Sequence, residues 1–176
     1  MPHFYTYFIS RLPALNFTDR PPLIFEKFIS LCQEFIPAAD AEIIKNISIS
    51  RDYSACNIPV SLKKWYEFDI ALRNELVKIR SGRKHLDAAE YLRPQSYFDA
   101  GLTHFALNAT RNAALQEVEK NIDLQRWHFL DELSFGHYFD LDLLIIYAVK
   151  LLILERWEKI ADSDRERNLR EALAKF

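Results

Sequence analysis

Three features of the sequence predict an all-α fold. Glycine is scarce, with 3 in 176 residues, too few for the turns of an all-β fold. Apolar residues recur at three- and four-residue spacing over most of the chain. The strongest such pattern runs from Asn121 to Trp157. The other helices are expected to pack around it as a multi-helix bundle of stacked helical hairpins.

Within that stretch, Ile122, Leu124, Trp127, Leu130 and Leu133 keep helical spacing. Gly136 is expected to end this helix, because glycine takes the left-handed cap conformation without a Cβ penalty. Asp140 or Asp142 is placed to cap the next helix by accepting from its first N–H groups. That helix carries Leu144, Ala148, Leu151, Leu154 and Trp157 on one face. Ile145, Ile146, Val149, Leu152 and Ile153 surround them. A surface helix has a narrower apolar stripe, so this one is expected to be buried on more than one side. A spanning helix needs roughly 20 apolar residues. Asp142 and Lys150 interrupt this run and Glu155-Arg156 follow it, so a core helix is the better reading.

The remaining elements follow in order. Phe4 to Ser10 is aromatic and β-branched, and fits either a strand or one face of a helix. Asn16 to Pro22 reads as a loop. Phe25, Phe28, Ile29, Cys32 and Phe35 predict a helix that Pro37 stops. Asp40 is placed to cap a short helix through Asn46. Residues 47–60 read as irregular, with ISISR as a short extended piece. Ser61 resembles an N-cap. Leu62, Trp65, Leu72, Leu76 and Ile79 then predict a helix over 62–81, ended by Gly82. A short helix is expected from Asp87 to Leu92, ended by Pro94, and one or two more over 98–107 and 112–120. Asp162 to Phe176 reads as a charged helix with Leu169, Ala172 and Leu173 on one side. No Pro/Gly/Ser-rich linker divides the chain, so it is read as a single helical domain, with a two-lobed arrangement of unplaced boundary as the alternative.

The totals narrow the function classes. Hydrophobic residues make up 49% of the chain and aromatics 14%, enough for a substantial core. The formal net charge of -2 supplies no global basic field for nucleic acid. Cys32 and Cys56 form no disulfide framework and no CxxC metal pair. The N-terminal residues lack the basic and long apolar regions of a signal peptide, so a cytoplasmic location is expected.

No catalytic or cofactor motif emerges. His128 and Glu132 lie four residues apart on one helix face, with His137 nearby in sequence, but the paired Glu-x-x-His elements of a diiron bundle are missing. HExxH, the G-x-S-x-G elbow and glycine-rich phosphate loops are also absent. Cys32 falls on an apolar face and reads as a packing thiol. Cys56 reads as a loop thiol with no base beside it. Arg80, Arg83, Lys84 and His85 gather at a predicted helix C-terminus, where cations complement the dipole. Such a patch is more often a solvated helix end than a phosphate site. Arg73-Asn74 and Arg111-Asn112 each place Asn inside a predicted helix, where it is a mediocre helix former. These residues predict no cofactor, no metal and no catalysis.

Several stretches together resemble a family of proteins encoded in bacterial V-type ATPase gene clusters. They include Tyr5, Tyr7, Ser10, Leu12-Pro13, Leu15, Phe17 and Pro21-Pro22. Arg73 to Leu76 and Arg111 to Leu115 also match. In the C-terminal half the pattern is Leu124, Arg126-Trp127, Leu130-Asp131-Glu132-Leu133, Gly136-His137, Phe139-Asp140-Leu141 and Leu144. The resemblance implies a stand-in for the C (d) component of the rotary ATPase, the helical funnel that couples the central shaft to the membrane ring. The helix over Asp69 to Arg80 is similar to one of that funnel's repeats, through Asn74 and Arg80. This chain has room for about two repeats of the 40–47-residue kind, fewer than the roughly three of the full funnel, so only part of the funnel fold is implied. The implied partners are the axle, formed by the D and F components, and the proteolipid ring. The implied location is peripheral to the inner membrane, reached through those partners. The polar side chains expected to grip them are Arg80, Arg83, Lys84, His128, Asp131, Glu132 and His137.

Overall fold

The computed structural model describes residues 3–47, 58–94, 96–109, 111 and 114–173, with side chains from 5 to 163 within those ranges. The described residues form seven α-helices and one 3-10 helix, with no strand among them. The all-α prediction therefore stands. No described helix is long and apolar enough to cross a membrane.

The contacts divide the chain into two compact units. The first combines both ends of the sequence, residues 1–52 and 134–176, and the second is residues 53–133.

In the first unit, α1 (His3–Arg11), α2 (Phe25–Phe35) and α3 (Ala38–Lys45) accompany the long α7 (Leu141–Leu173). The aromatic Phe4–Ser10 run, open between strand and helix in the sequence, lies in α1. Helix α2 has the predicted bounds. Its apolar side buries Phe28, Ile29 and Cys32. Phe28 stacks with Phe8 of α1 at 6.1 Å and meets Tyr147 of α7 at 5.1 Å between ring centroids. Leu144, Ile145, Ile146, Ala148, Val149, Leu151, Ile153 and Leu154 are all buried. Three consecutive buried residues at 144–146 cover more than one stripe of a 3.6-residue helix, as the apolar pattern predicts. The charged tail is no separate helix: α7 continues unbroken to Leu173.

The start of α2 shows how the two ends of the chain are joined. Ile24 precedes it and offers no side-chain cap. Glu155 of α7 supplies the missing acceptor and takes the N–H of Phe25. A helix N-terminus leaves its first N–H groups unpaired and carries positive dipole charge, so a carboxylate suits it on both counts.

In the second unit, α4 (Val60–Lys84) is the axis. A 3-10 helix (Ala88–Tyr91), α5 (Ala100–Ala109) and α6 (Leu115–Leu133) each pack on it. Phe68 stacks on Phe129 of α6 with 3.9 Å between centroids and 3° between planes. Tyr97 meets both rings edge-on. The edge-on approach of the third ring suits the aromatic quadrupole.

Several boundaries correct the sequence reading. Helix α4 begins at Val60 after Pro59, so Ser61 is a buried helical residue and not the cap. Gly82 lies inside α4; the left-handed terminal residue is His85, with φ 54°. Pro37 precedes α3, and the Asp40 carboxylate accepts from the Tyr5 hydroxyl of α1 instead of capping. The 87–92 segment tightens to a 3-10 turn that Asp87 caps through the Ala89 N–H at 2.9 Å. The segments read as 112–120 and 121–133 are one helix from Leu115. The extended ISISR piece and Cys56 fall outside the described residues.

Candidate functional site

The residues read as partner-binding are divided between the two units. Arg80, Arg83 and Lys84 occupy the last two turns of α4 and are exposed. Arg80 lies 3.8 Å from Glu119 of α6, a surface pair of small worth. The basic patch is thus the expected exposed helix end.

His128, Asp131 and Glu132 are exposed on α6. His128 opens onto a groove of about 510 Å³ between α5 and α6. His104, Phe105, Asn108, Asn121 and Gln125 share its walls. Asn108 is hydrogen-bonded to His104 Nδ1 at 3.0 Å. Among the described residues no ion pair joins His128 to Glu132.

His137 belongs to the first unit, in the turn that leads into α7. Its Nδ1 lies 2.6 Å from Asp140 Oδ2 and 3.7 Å from Asp142 Oδ2. One donor atom from each of the three lies within 4.8 Å of the others. His137 therefore groups with Asp140 and Asp142, a set that the His128/Glu132 spacing did not indicate. Asp140 already works as a cap, since its Oδ1 accepts from the Leu143 N–H at 3.0 Å. The N-terminal end of a helix dipole attracts carboxylates and opposes a cation. The arrangement is accordingly a turn lock: His137 holds Asp140, and Asp140 holds the first turn of α7.

This turn also carries a feature the sequence reading passed over. Phe135 is 86% exposed, Tyr138 64% and Phe139 53%. Gly136 sits between them with φ +87°, a conformation that would strain any other residue. The His137 N–H closes the turn onto Ser134 O at 3.0 Å. Three exposed aromatics in five residues on a fixed turn form a preorganised apolar projection. The signal was present in the sequence as aromatic residues flanking a turn glycine.

A second feature was also missed. Asp69, Asp123 and Arg126 are 3%, 0% and 5% exposed. Arg126 of α6 bonds to Asp69 of α4 and to Asp123 of its own helix. Asp69 also accepts from Arg73 Nε at 2.6 Å. Burial works to lower the Arg126 pKa, but the two carboxylates outweigh it and raise it. The sequence hint was charge pairs at helical spacing inside apolar faces: Asp69/Arg73 and Asp123/Arg126. Asn74, singled out for its helical position, closes a two-way clamp on the backbone of Arg93, at 2.8 Å to its O and 3.0 Å from its N. These two bonds tie α4 to the connection that follows the 3-10 helix.

Residues 103–176 match the family model described as "Protein of unknown function (DUF2764)". That is less than half of the chain. The match contains α6, the aromatic turn and α7, and leaves Asp69 outside. No curated protein and no solved structure matches the chain.

Proposed function

We propose that the chain is a non-catalytic subunit of a bacterial V-type ATPase, standing in for the C (d) component between the axle and the membrane ring. The sequence resemblance supplies the setting, and the helical fold is compatible with it. The observation that carries a binding role is the exposed aromatic turn at Phe135–Phe139. Its Gly136-His137 and Phe139-Asp140 positions are among those that carry the resemblance. Large exposed aromatics are common anchors at protein interfaces. A coupling element also has to resist deformation, and closely packed interiors transmit strain. The stacked rings around Phe68 and the ion network around Arg126 supply such packing. In this reading the chain is peripheral to the membrane and reaches it through its partners.

The test is co-expression with the other soluble ATPase subunits, capture by a tag, and gel filtration of the captured material. One-to-one retention of the D–F axle is the expected result. Substoichiometric retention points instead to an assembly factor or regulator. Retention of no ATPase subunit overturns the reading.

A further inference from the structure

We propose that the turn between α6 and α7 is an acidic aromatic plug that seats in an apolar pocket rimmed by lysine and arginine on a protein partner. This rests on the ATPase reading above and adds the chemistry of the partner's face. The plug is Phe135, Tyr138 and Phe139, at 86%, 64% and 53% exposure. Burying such rings is favoured by the water it releases, and aromatic side chains carry a large share of interface area.

The turn is held in shape before any partner arrives. Gly136 takes its positive φ, the His137 N–H bonds to Ser134 O, and His137 pairs with Asp140. Asp140 in turn caps α7 through Leu143. The backbone of the turn has little freedom left to lose on docking, which favours affinity.

Charge selects among possible occupants. In the first unit, no Lys or Arg occurs between Ser134 and Lys150, whereas Asp140 and Asp142 do. An anionic lipid surface repels such a segment, and so does a nucleic-acid backbone. A second copy of the turn would bring like charges together. A protein pocket with a cationic rim satisfies both the apolar rings and the flanking carboxylates.

The experiment measures the affinity of the full chain for the co-expressed D–F axle at low and high salt. The variant Phe135→Ala/Tyr138→Ala/Phe139→Ala is compared with wild type. These side chains are exposed, so the variant's urea midpoint is expected to match wild type. Its binding is expected to weaken about tenfold or more. Wild-type binding is expected to weaken as salt rises toward about 0.5 M. Equal affinity of the variant and wild type overturns the plug while leaving the ATPase reading intact. Salt-independent wild-type binding overturns the cationic rim. Preferential wild-type binding to vesicles of anionic lipid, lost in the variant, overturns the protein partner. Failure of wild type to bind the axle overturns the plug, and the ATPase reading falls with it when no other ATPase subunit is retained either.

Discussion

Arg126 of α6 aims two nitrogens at one oxygen of Asp69 on α4: Nε donates at 2.8 Å and Nη2 lies at 2.7 Å. Its third nitrogen, Nη1, donates to Asp123 at 2.7 Å. Each member is at least nine-tenths buried. Removing the cation takes the shared Arg126 partner from two buried carboxylates, of which Asp69 keeps Arg73. Arg126→Leu is expected to cost about 3–5 kcal/mol, read as a fall in the urea midpoint. Replacing Arg126, Asp69 and Asp123 together by leucine removes the three buried charges and leaves the part-exposed Arg73 in place, and is expected to recover most of that loss. A triple variant no more stable than Arg126→Leu would contradict this account.

The end of α4 gives a prediction of opposite sign. Gly82 lies inside the helix, and a Cβ built there meets nothing within 4 Å. Gly82→Ala is expected to stabilise by about 1 kcal/mol, since glycine loses the most backbone freedom in a helix. His85 holds φ 54° at the C-terminus, with Leu86 N–H bonded back to Ser81 O at 3.0 Å. His85→Gly is expected to relieve about 1 kcal/mol of left-handed strain. Thermal melts of the two single variants check this. A lower Tm for Gly82→Ala would show that the helix really does end where the glycine stands.

That pair of residues marks where the sequence was legible and where it was not. Apolar spacing located α2 and the core stretch of α7 because burial repeats every turn. Helix ends were misplaced because several caps are non-local. The acceptor for Phe25 comes from Glu155, 130 positions away. Asp40, a plausible local cap, is instead engaged by Tyr5. Gly82 looked like a stop, yet the stop falls at a histidine. Among the site residues, spacing placed His128 and Glu132 on one helix but gave no sign that His137 would turn to Asp140 and Asp142. The buried Asp69–Arg126 bond spans 57 positions, and periodicity within a helix has no access to such a pair.

Glu155 offers a test of the joint between the two ends of the chain. Its carboxylate accepts the Phe25 N–H, while Ile24 offers no alternative. Glu155→Ala is expected to cost about 0.5–2 kcal/mol, the range for loss of a helix cap. The loss is expected first at α2. Amide hydrogen exchange of Phe25 and its neighbours should therefore accelerate more than exchange in α4. Uniform acceleration across both helices would argue against a local cap.

Alkaline pH probes the first unit's core. Burial raises the Cys32 thiol from 9.0 to about 12, and the side chain is 0% exposed. Burial likewise raises Tyr147 from 10.0 to about 12, and its hydroxyl donates to Pro13 O at 3.0 Å. Both groups are neutral when protonated, so the fold favours the protonated forms. In the unfolded chain they ionise near their ordinary values. The folded state then binds more protons than the unfolded state across this window, and stability falls as pH rises. Their contribution is complete below about pH 9 and is lost as pH climbs toward 12. The urea midpoint is expected to decline over that range, with a shallower early slope in Cys32→Ala. In a Cys56→Ser background, native Cys32 is expected to react with a thiol reagent at pH 8 only as fast as the core opens. Immediate stoichiometric labelling would show that the thiol is not held inside this core.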